Sequence, residues 1–336
     1  MLVGILFVLM MLVLIIPHEW GHMIVAKLFG VRVYEFSVGM GPLLFKRKKG
    51  ETEYSVRLLP LGGFCKLEGE DEASEEPTAY NNQPDHKKIA ILLAGVTMNV
   101  LIAILAVTIM VCITGVDTNT VDIVKDGSPA AQSELESGDT IVSVNGETME
   151  SWNALTNTIR SYKEGDEPLL IAYERDGEMY ETSIMPQYDS SQGYYMIGIS
   201  TKPDKSLGKC IVRGPAMTWE LNKTLFKGIY MLLKGQASAK DVAGPIGLVK
   251  VVDESTTYGI SGYLLLLAFV SLNLALFNLI PIPGLDGGKI FFIFLKWCSR
   301  GKITDEMEYK ATLVGTLLLL VMIVVVTIND LNNLFS

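Results

Sequence analysis

The 336-residue chain contains three histidines, and two of them, His18 and His22, stand four apart with Glu19 between them. On a helix, positions i and i+4 share a face, so the two imidazoles can offer nitrogens to a single metal ion. Glu19, one residue beyond the first imidazole, can reach a water at that ion without occupying the metal. A catalytic zinc site takes three protein ligands and keeps a fourth position open for water. The remaining histidine, His86, lies next to Lys87, three residues before an apolar block, and reads as a surface residue. The third ligand is therefore expected to be a carboxylate. Asp286 is the candidate, because it is the charged residue that ends the third apolar block before Lys289. It sits in Asn278-Leu279-Ile280-Pro281-Ile282-Pro283-Gly284-Leu285-Asp286-Gly287-Gly288, whose prolines and glycines cannot continue a regular helix. Irregular backbone at membrane depth is tolerated where protein or a water-filled cavity covers it, which suits a buried metal site. Blander placements exist for both groups: an interfacial helix end for His18, Glu19 and His22, and a loop near the membrane face for Asp286.

The elements that must hold these residues are legible in the charge pattern. The composition is 49% hydrophobic and 19% charged, and residues 1–16, 89–116, 260–285 and 311–329 carry no charge at all. Runs of that length and apolarity read as membrane spans. Placing Glu19 in a span costs about 2.5 to 3.5 kcal/mol, so a function is needed to keep it there. The first block lacks the basic start and the small-residue cleavage site of a signal peptide, and is read as a retained helix.

Between the first two spans, β-prone runs at 31–38, 53–58 and 64–67 alternate with turns at Gly39 to Gly41 and Gly62-Gly63, predicting a small membrane-associated sheet. The acidic stretch from Glu68 to Glu76 reads as a solvated linker. Lys46-Arg47-Lys48-Lys49 and Lys87-Lys88 make this loop cytoplasmic by the positive-inside rule, and Arg300, Lys302 and Lys310 do the same for the loop after the third span. Both termini and residues 117–260 are then extracytoplasmic.

The net charge of −9 is local in origin. Residues 117–200 hold sixteen acidic against four basic side chains, a net of −12, which leaves +3 for the rest. No concentrated basic face is available, so nucleic acid is excluded as a partner. The four cysteines, Cys65, Cys112, Cys210 and Cys298, have no CxxC spacing and support neither a zinc-thiolate site nor a disulfide framework. Residues 121–186 carry strand signals around Asn145-Gly146 and Asp176-Gly177, with a helix opened by Ser151-Trp152. The segment SPAAQSELESGDTIVSVNG resembles a bacterial PDZ domain in the circularly permuted arrangement of membrane-tethered proteases. Residues 214–234 have the spacing of an amphipathic helix lying on the outer membrane surface.

Taken together, His18 to His22 on a first span, Leu285-Asp286-Gly287 on the third, Pro60-Leu61-Gly62-Gly63-Phe64 in the cytoplasmic loop and one PDZ-like insert resemble the site-2 protease family of intramembrane zinc metalloproteases, in its regulator of sigma-E protease branch. The resemblance implies Zn2+ held by His18, His22 and Asp286, Glu19 as general base, and Asn273 and Asn278 holding the substrate strand. It also implies that the region from Arg32 to Leu67 pairs with an extended substrate. Some members carry two tandem PDZ domains, whereas this chain has room for one.

The expected fold is a polytopic α-helical membrane protein with four transmembrane helices, a membrane-associated β-hairpin or sheet region and an inserted extracytoplasmic PDZ-like α+β domain. Its segments are span 1 (1–28), the cytoplasmic β region and linker (29–88), span 2 (89–116), the PDZ domain (117–200), a linker with the surface helix (201–260), a broken span 3 (261–297), a cytoplasmic loop (298–310) and span 4 (311–330). The expected activity is zinc-dependent intramembrane cleavage of single-span membrane proteins, such as anti-sigma factors or remnant signal peptides, in the cell membrane and after an upstream site-1-type protease. The alternative is a catalytically silent, membrane-tethered PDZ scaffold that binds clients without cutting them.

Overall fold

A computed structural model describes residues 2–70, 72, 74–234, 244–299 and 302–335. Arg300, positions 71 and 73 of the acidic stretch and residues 235–243 of the expected 201–260 linker lie outside the described residues. The chain divides into two compact units, one made of residues 1–110 and 214–336, the other of residues 111–213.

Four helices among the described residues are long and apolar enough to cross a membrane: α1 (Leu2–Leu28), α2 (Asp85–Thr114), α6 (Gly259–Leu279) and α8 (Asp305–Phe335). Just 6% of the most apolar window of α8 is buried within the protein, a degree of apolar exposure that lipid, not water, accommodates. Two shorter helices belong to the same unit, α5 (Pro245–Thr256) and α7 (Asp286–Cys298); α4 (Leu207–Leu233) runs from one unit into the other. Polar groups tie the spans together where hydrocarbon offers them no other partner. Tyr263 donates its hydroxyl to the Leu6 carbonyl at 2.9 Å, joining α6 to α1, and Ser271 donates to the Asn99 carbonyl at 2.7 Å, joining α6 to α2.

α5 is an addition to the expected elements. Its amino-terminal N–H groups are satisfied from α8, where the buried carboxylate of Asp330 accepts from Gly244 N at 3.2 Å and Gly247 N at 2.8 Å. The expected surface helix begins earlier than Gly214, at Leu207, and continues through Pro215. Gly214 lets α4 approach α2 closely, because a side chain there would collide with Thr108.

The β region consists of β1 (Val33–Lys49) and β2 (Thr52–Leu67), an antiparallel pair that bends on itself. Phe36 pairs with Cys65 on one side and Tyr54 on the other, while the distal halves pair from Leu43↔Arg57 to Lys49↔Thr52. Gly39, Gly41 and Gly62 have φ of 88°, 81° and 131°, so the expected glycine turns are the bends. The basic cluster Lys46-Arg47-Lys48-Lys49, expected on this small sheet, forms the end of β1. Glu68, expected in a solvated linker, is buried and takes the Ser74 hydroxyl at 3.2 Å.

In residues 111–213 a four-stranded sheet runs in the order β5 (Glu147–Thr148), β4 (Thr140–Val144), β6 (Leu169–Arg175), β7 (Glu178–Ile184). Helix α3 (Trp152–Arg160) is capped by Ser151, whose side chain accepts from Ala154 N. It buries Leu155 and Ile159 with Ile141, Val144, Ile171 and Tyr173 of the sheet. β3 (Val121–Val124) pairs with β10 (Ile199–Thr201), and β8 (Gln187–Asp189) with β9 (Tyr194–Met196). Arg175 grips the buried carboxylate of Asp139 with two bonds of 2.7 and 2.8 Å. All four cysteines are free thiols. Cys210 is fully buried beside Cys112, so it is shielded from aqueous thiol reagents.

Candidate metal centre

His18 and His22 lie one turn apart on α1 and are both 8% exposed. Their Nε2 atoms are 3.2 Å apart, and each is 3.4 Å from Asp286 Oδ2. The carboxylate comes from the first turn of α7, beyond the break after α6. Three features fix that turn. Gly284 has φ of 101°, in the left-handed region, and packs against Thr316 of α8. Gly287 and Gly288 lie against the backbone of Leu279, Ile280, Ile282 and Pro283, where any side chain would collide. Lys289 donates to Glu70 Oε1 at 2.6 Å, tying the start of α7 to the segment that follows β2.

The donor set fits a tetrahedral metal ion. Ligand atoms about 2.0 to 2.2 Å from zinc in tetrahedral geometry stand about 3.3 to 3.5 Å from one another. The observed triangle has edges of 3.2, 3.4 and 3.4 Å. Asp286 Oδ2 is buried without a hydrogen-bond partner, despite its nearness to both rings, which is the state of an acceptor that a cation would satisfy. His22 Nδ1 lies 2.8 Å from the Ile91 carbonyl. A carbonyl can accept but not donate, so the His22 proton is on Nδ1 and the Nε2 lone pair faces the triangle.

The triangle forms part of the wall of a cavity of about 630 Å³, lined also by Glu19, Arg57, Phe64, Cys65 and Lys289. Glu19 is half-buried there and close to Gly63, where a side chain would lie 3.5 Å from Glu19 Cγ. Residues Gly63 to Leu67 pair with β1 on one side, and no strand covers their other side among the described residues.

The structure thus brings together His18, Glu19, His22 and Asp286. It also brings Asn278, whose Nδ2 is 3.4 Å from His18 Nε2. Asn273 is placed differently: its side chain donates to the Phe269 carbonyl of its own helix at 3.0 Å. Five residues along a helix is about 140° of rotation, so the two asparagines of α6 cannot face the same point. His86 is exposed at the start of α2, apart from the triangle.

Two site residues escaped the sequence reading, and both are on α2. Asn99 is fully buried, with Nδ2 placed 3.2 Å from His18 Nδ1. Gly95 lies beneath both imidazoles, and a methyl there would land on His22 Nε2 and come within 2.7 Å of His18 Cε1. The signal was present as Ile91, Gly95 and Asn99 at i, i+4 and i+8, one face of a helix that is otherwise apolar.

The profile of peptidase family M50 matches residues 6–322. A protein of Clostridium acetobutylicum, provisionally named a zinc metalloprotease, is 35% identical over 95% of this chain and 94% of its own. The regulator of sigma-W protease RasP of Bacillus subtilis is 28% identical over 98% of both chains. Among solved structures, the PDZ domain of an SdrC-like protein from Listeria monocytogenes is 30% identical, covering 26% of this chain and 86% of that one, with a TM-score of 0.22.

Proposed function

This chain belongs to peptidase family M50, the site-2 proteases, and from that premise we propose that it is an intramembrane zinc endopeptidase whose metal ligands are His18, His22 and Asp286. The observation that carries the assignment is the donor triangle, with edges of 3.2, 3.4 and 3.4 Å at a cavity that Glu19 shares. The protein is a multi-pass membrane metallopeptidase, and its substrates are single-span membrane proteins entering from the bilayer.

When bound, zinc supplies Lewis acidity towards the scissile carbonyl and makes water a usable nucleophile near neutral pH. Glu19 accepts the proton of the attacking water and passes it to the leaving amine. Asn278, beside His18, donates from its amide to the carbonyl oxygen as charge develops on it. A helical substrate must unwind before its carbonyl can be reached, and the uncovered edge from Gly63 to Leu67 takes up the extended backbone. Asn273, about 7.5 Å earlier on α6, meets the substrate away from the metal. Substrates with helix-weakening residues near the cut are therefore preferred.

In this reading the hairpin faces the cytoplasm, and both termini and residues 117–200 face outward. The inserted domain acts as a filter or gate for substrates already trimmed by an upstream site-1-type protease. The test is cleavage of a single-span substrate by purified wild type and Glu19→Gln, with zinc measured in both. Glu19→Gln is expected to retain zinc and lose about 10²- to 10⁴-fold in rate. Cleavage at the wild-type rate would refute the role of Glu19. Clients captured but left intact by zinc-loaded wild type would favour a tethered scaffold.

A further inference from the structure

Asn99 presents a contradiction as it is placed. Its Nδ2 is 3.2 Å from His18 Nδ1, while its Oδ1 is buried with no partner. An amide N–H can only donate, so Nδ1 would accept and the His18 proton would sit on Nε2. Nε2 is the atom that faces His22 Nε2 at 3.2 Å and Asp286 Oδ2 at 3.4 Å, and a protonated nitrogen cannot ligate a metal.

Oxygen and nitrogen of an amide have the same shape and are assigned by their partners. Turning the Asn99 amide over removes both difficulties. Oδ1 then accepts from His18 Nδ1–H, and the Nε2 lone pair is free for the metal. The NH2 group takes the position in which Oδ1 found no donor. Between packed spans that exchange is favourable, because backbone N–H groups are used up within helices whereas each carbonyl keeps a second lone pair. The Asn99 backbone is itself held, since its carbonyl takes the Ser271 hydroxyl at 2.7 Å.

We infer that Asn99 is a positioning residue, whose side-chain oxygen holds His18 in the tautomer that presents Nε2 to the metal. α2 would then orient both imidazoles from a single face. The Ile91 carbonyl fixes His22 at 2.8 Å, Asn99 fixes His18 two turns away, and Gly95 between them leaves room for the rings. This inference rests on the zinc assignment proposed above.

The experiment is zinc affinity by chelator competition on the full-length protein in detergent, for wild type, Asn99→Asp, Asn99→Leu and Asn99→Ala. A carboxylate accepts and cannot donate when ionised, so Asn99→Asp is expected to hold zinc within a few-fold of wild type. Asn99→Leu and Asn99→Ala are expected to bind about 10- to 100-fold more weakly. If Asn99→Asp weakens zinc as much as Asn99→Ala does, the amide acts as a donor or as packing, and the inference is overturned. Wild-type affinity in Asn99→Ala overturns it too. His22→Ala separates this failure from that of the zinc assignment: if zinc affinity survives His22→Ala, the assignment falls and the role of Asn99 falls with it.

Discussion

Gly95→Ala tests the geometry of the site with a single methyl. A Cβ built on Gly95 lies 2.7 Å from both His18 Cε1 and His22 Cε1, and closer still to His22 Nε2, where ordinary contact begins at 3.4 Å. Each ring must therefore retreat by at least 0.7 Å, the difference between those two distances. Metal ligands tolerate displacements of about 0.2 Å, so the triangle cannot survive intact. Misplacement of about 1 Å costs about 10²-fold in rate. Propensity pulls the other way, since Ala is favoured over Gly in a helix interior by about 1 kcal/mol. The substitution should therefore leave α2 folded, by circular dichroism of the protein in detergent, while zinc content drops and cleavage of a single-span substrate falls by about 10²-fold or more. Stoichiometric zinc with wild-type cleavage in Gly95→Ala would refute the placement of both imidazoles against α2.

Other expectations concern the scaffold. Burial by itself would raise the Asp139 carboxyl, but the Arg175 guanidinium and the Glu136 N–H outweigh it and hold that carboxyl below the usual carboxylate range. The pair's stabilisation is therefore complete above the unfolded value of about 4 and is lost as pH falls through the lower folded value. Asp139→Asn should cost about 2 to 3 kcal/mol near neutrality in urea unfolding and flatten that acid dependence; an unchanged acid limb would contradict it. Asp330→Ala removes the cap of α5 and should lower stability by about 1 to 2 kcal/mol, read as an earlier thermal transition, whereas an unchanged transition would mean that the cap contributes nothing. Orientation needs a cysteine in the open, because Cys210 is buried. In a cysteine-free background an impermeant thiol reagent should label Met179→Cys in intact cells and not Lys48→Cys, and the reverse pattern would invert the topology.

The candidate site was legible in the sequence because it is written in residue types that apolar spans otherwise exclude. His18, Glu19, His22 and Asp286 each stand out against uncharged surroundings, and the i, i+4 spacing supplies their geometry. Gly95 and Asn99 were missed because neither is charged and neither disturbs the apolar pattern of α2. Asn273 and Asn278 look equivalent in the sequence, and the 3.6-residue turn of α6 separates them. Composition also misled where tertiary partners lie far along the chain. Glu70 belongs to an acidic run that reads as solvated, yet it receives Lys289, 219 residues away, at the wall of the cavity that His18, His22 and Asp286 line. Gly214-Pro215 reads as a helix start, yet α4 passes through it against Thr108.

The measurement that bears most directly on the proposed centre is zinc K-edge X-ray absorption of the purified protein, with Asp286→Asn alongside. The expected spectrum has a first shell of two imidazole nitrogens with oxygen at about 2.0 to 2.2 Å and no sulfur at about 2.3 Å, and a weakened or lost oxygen contribution in the variant. A sulfur shell, or a first shell indifferent to Asp286→Asn, would contradict it.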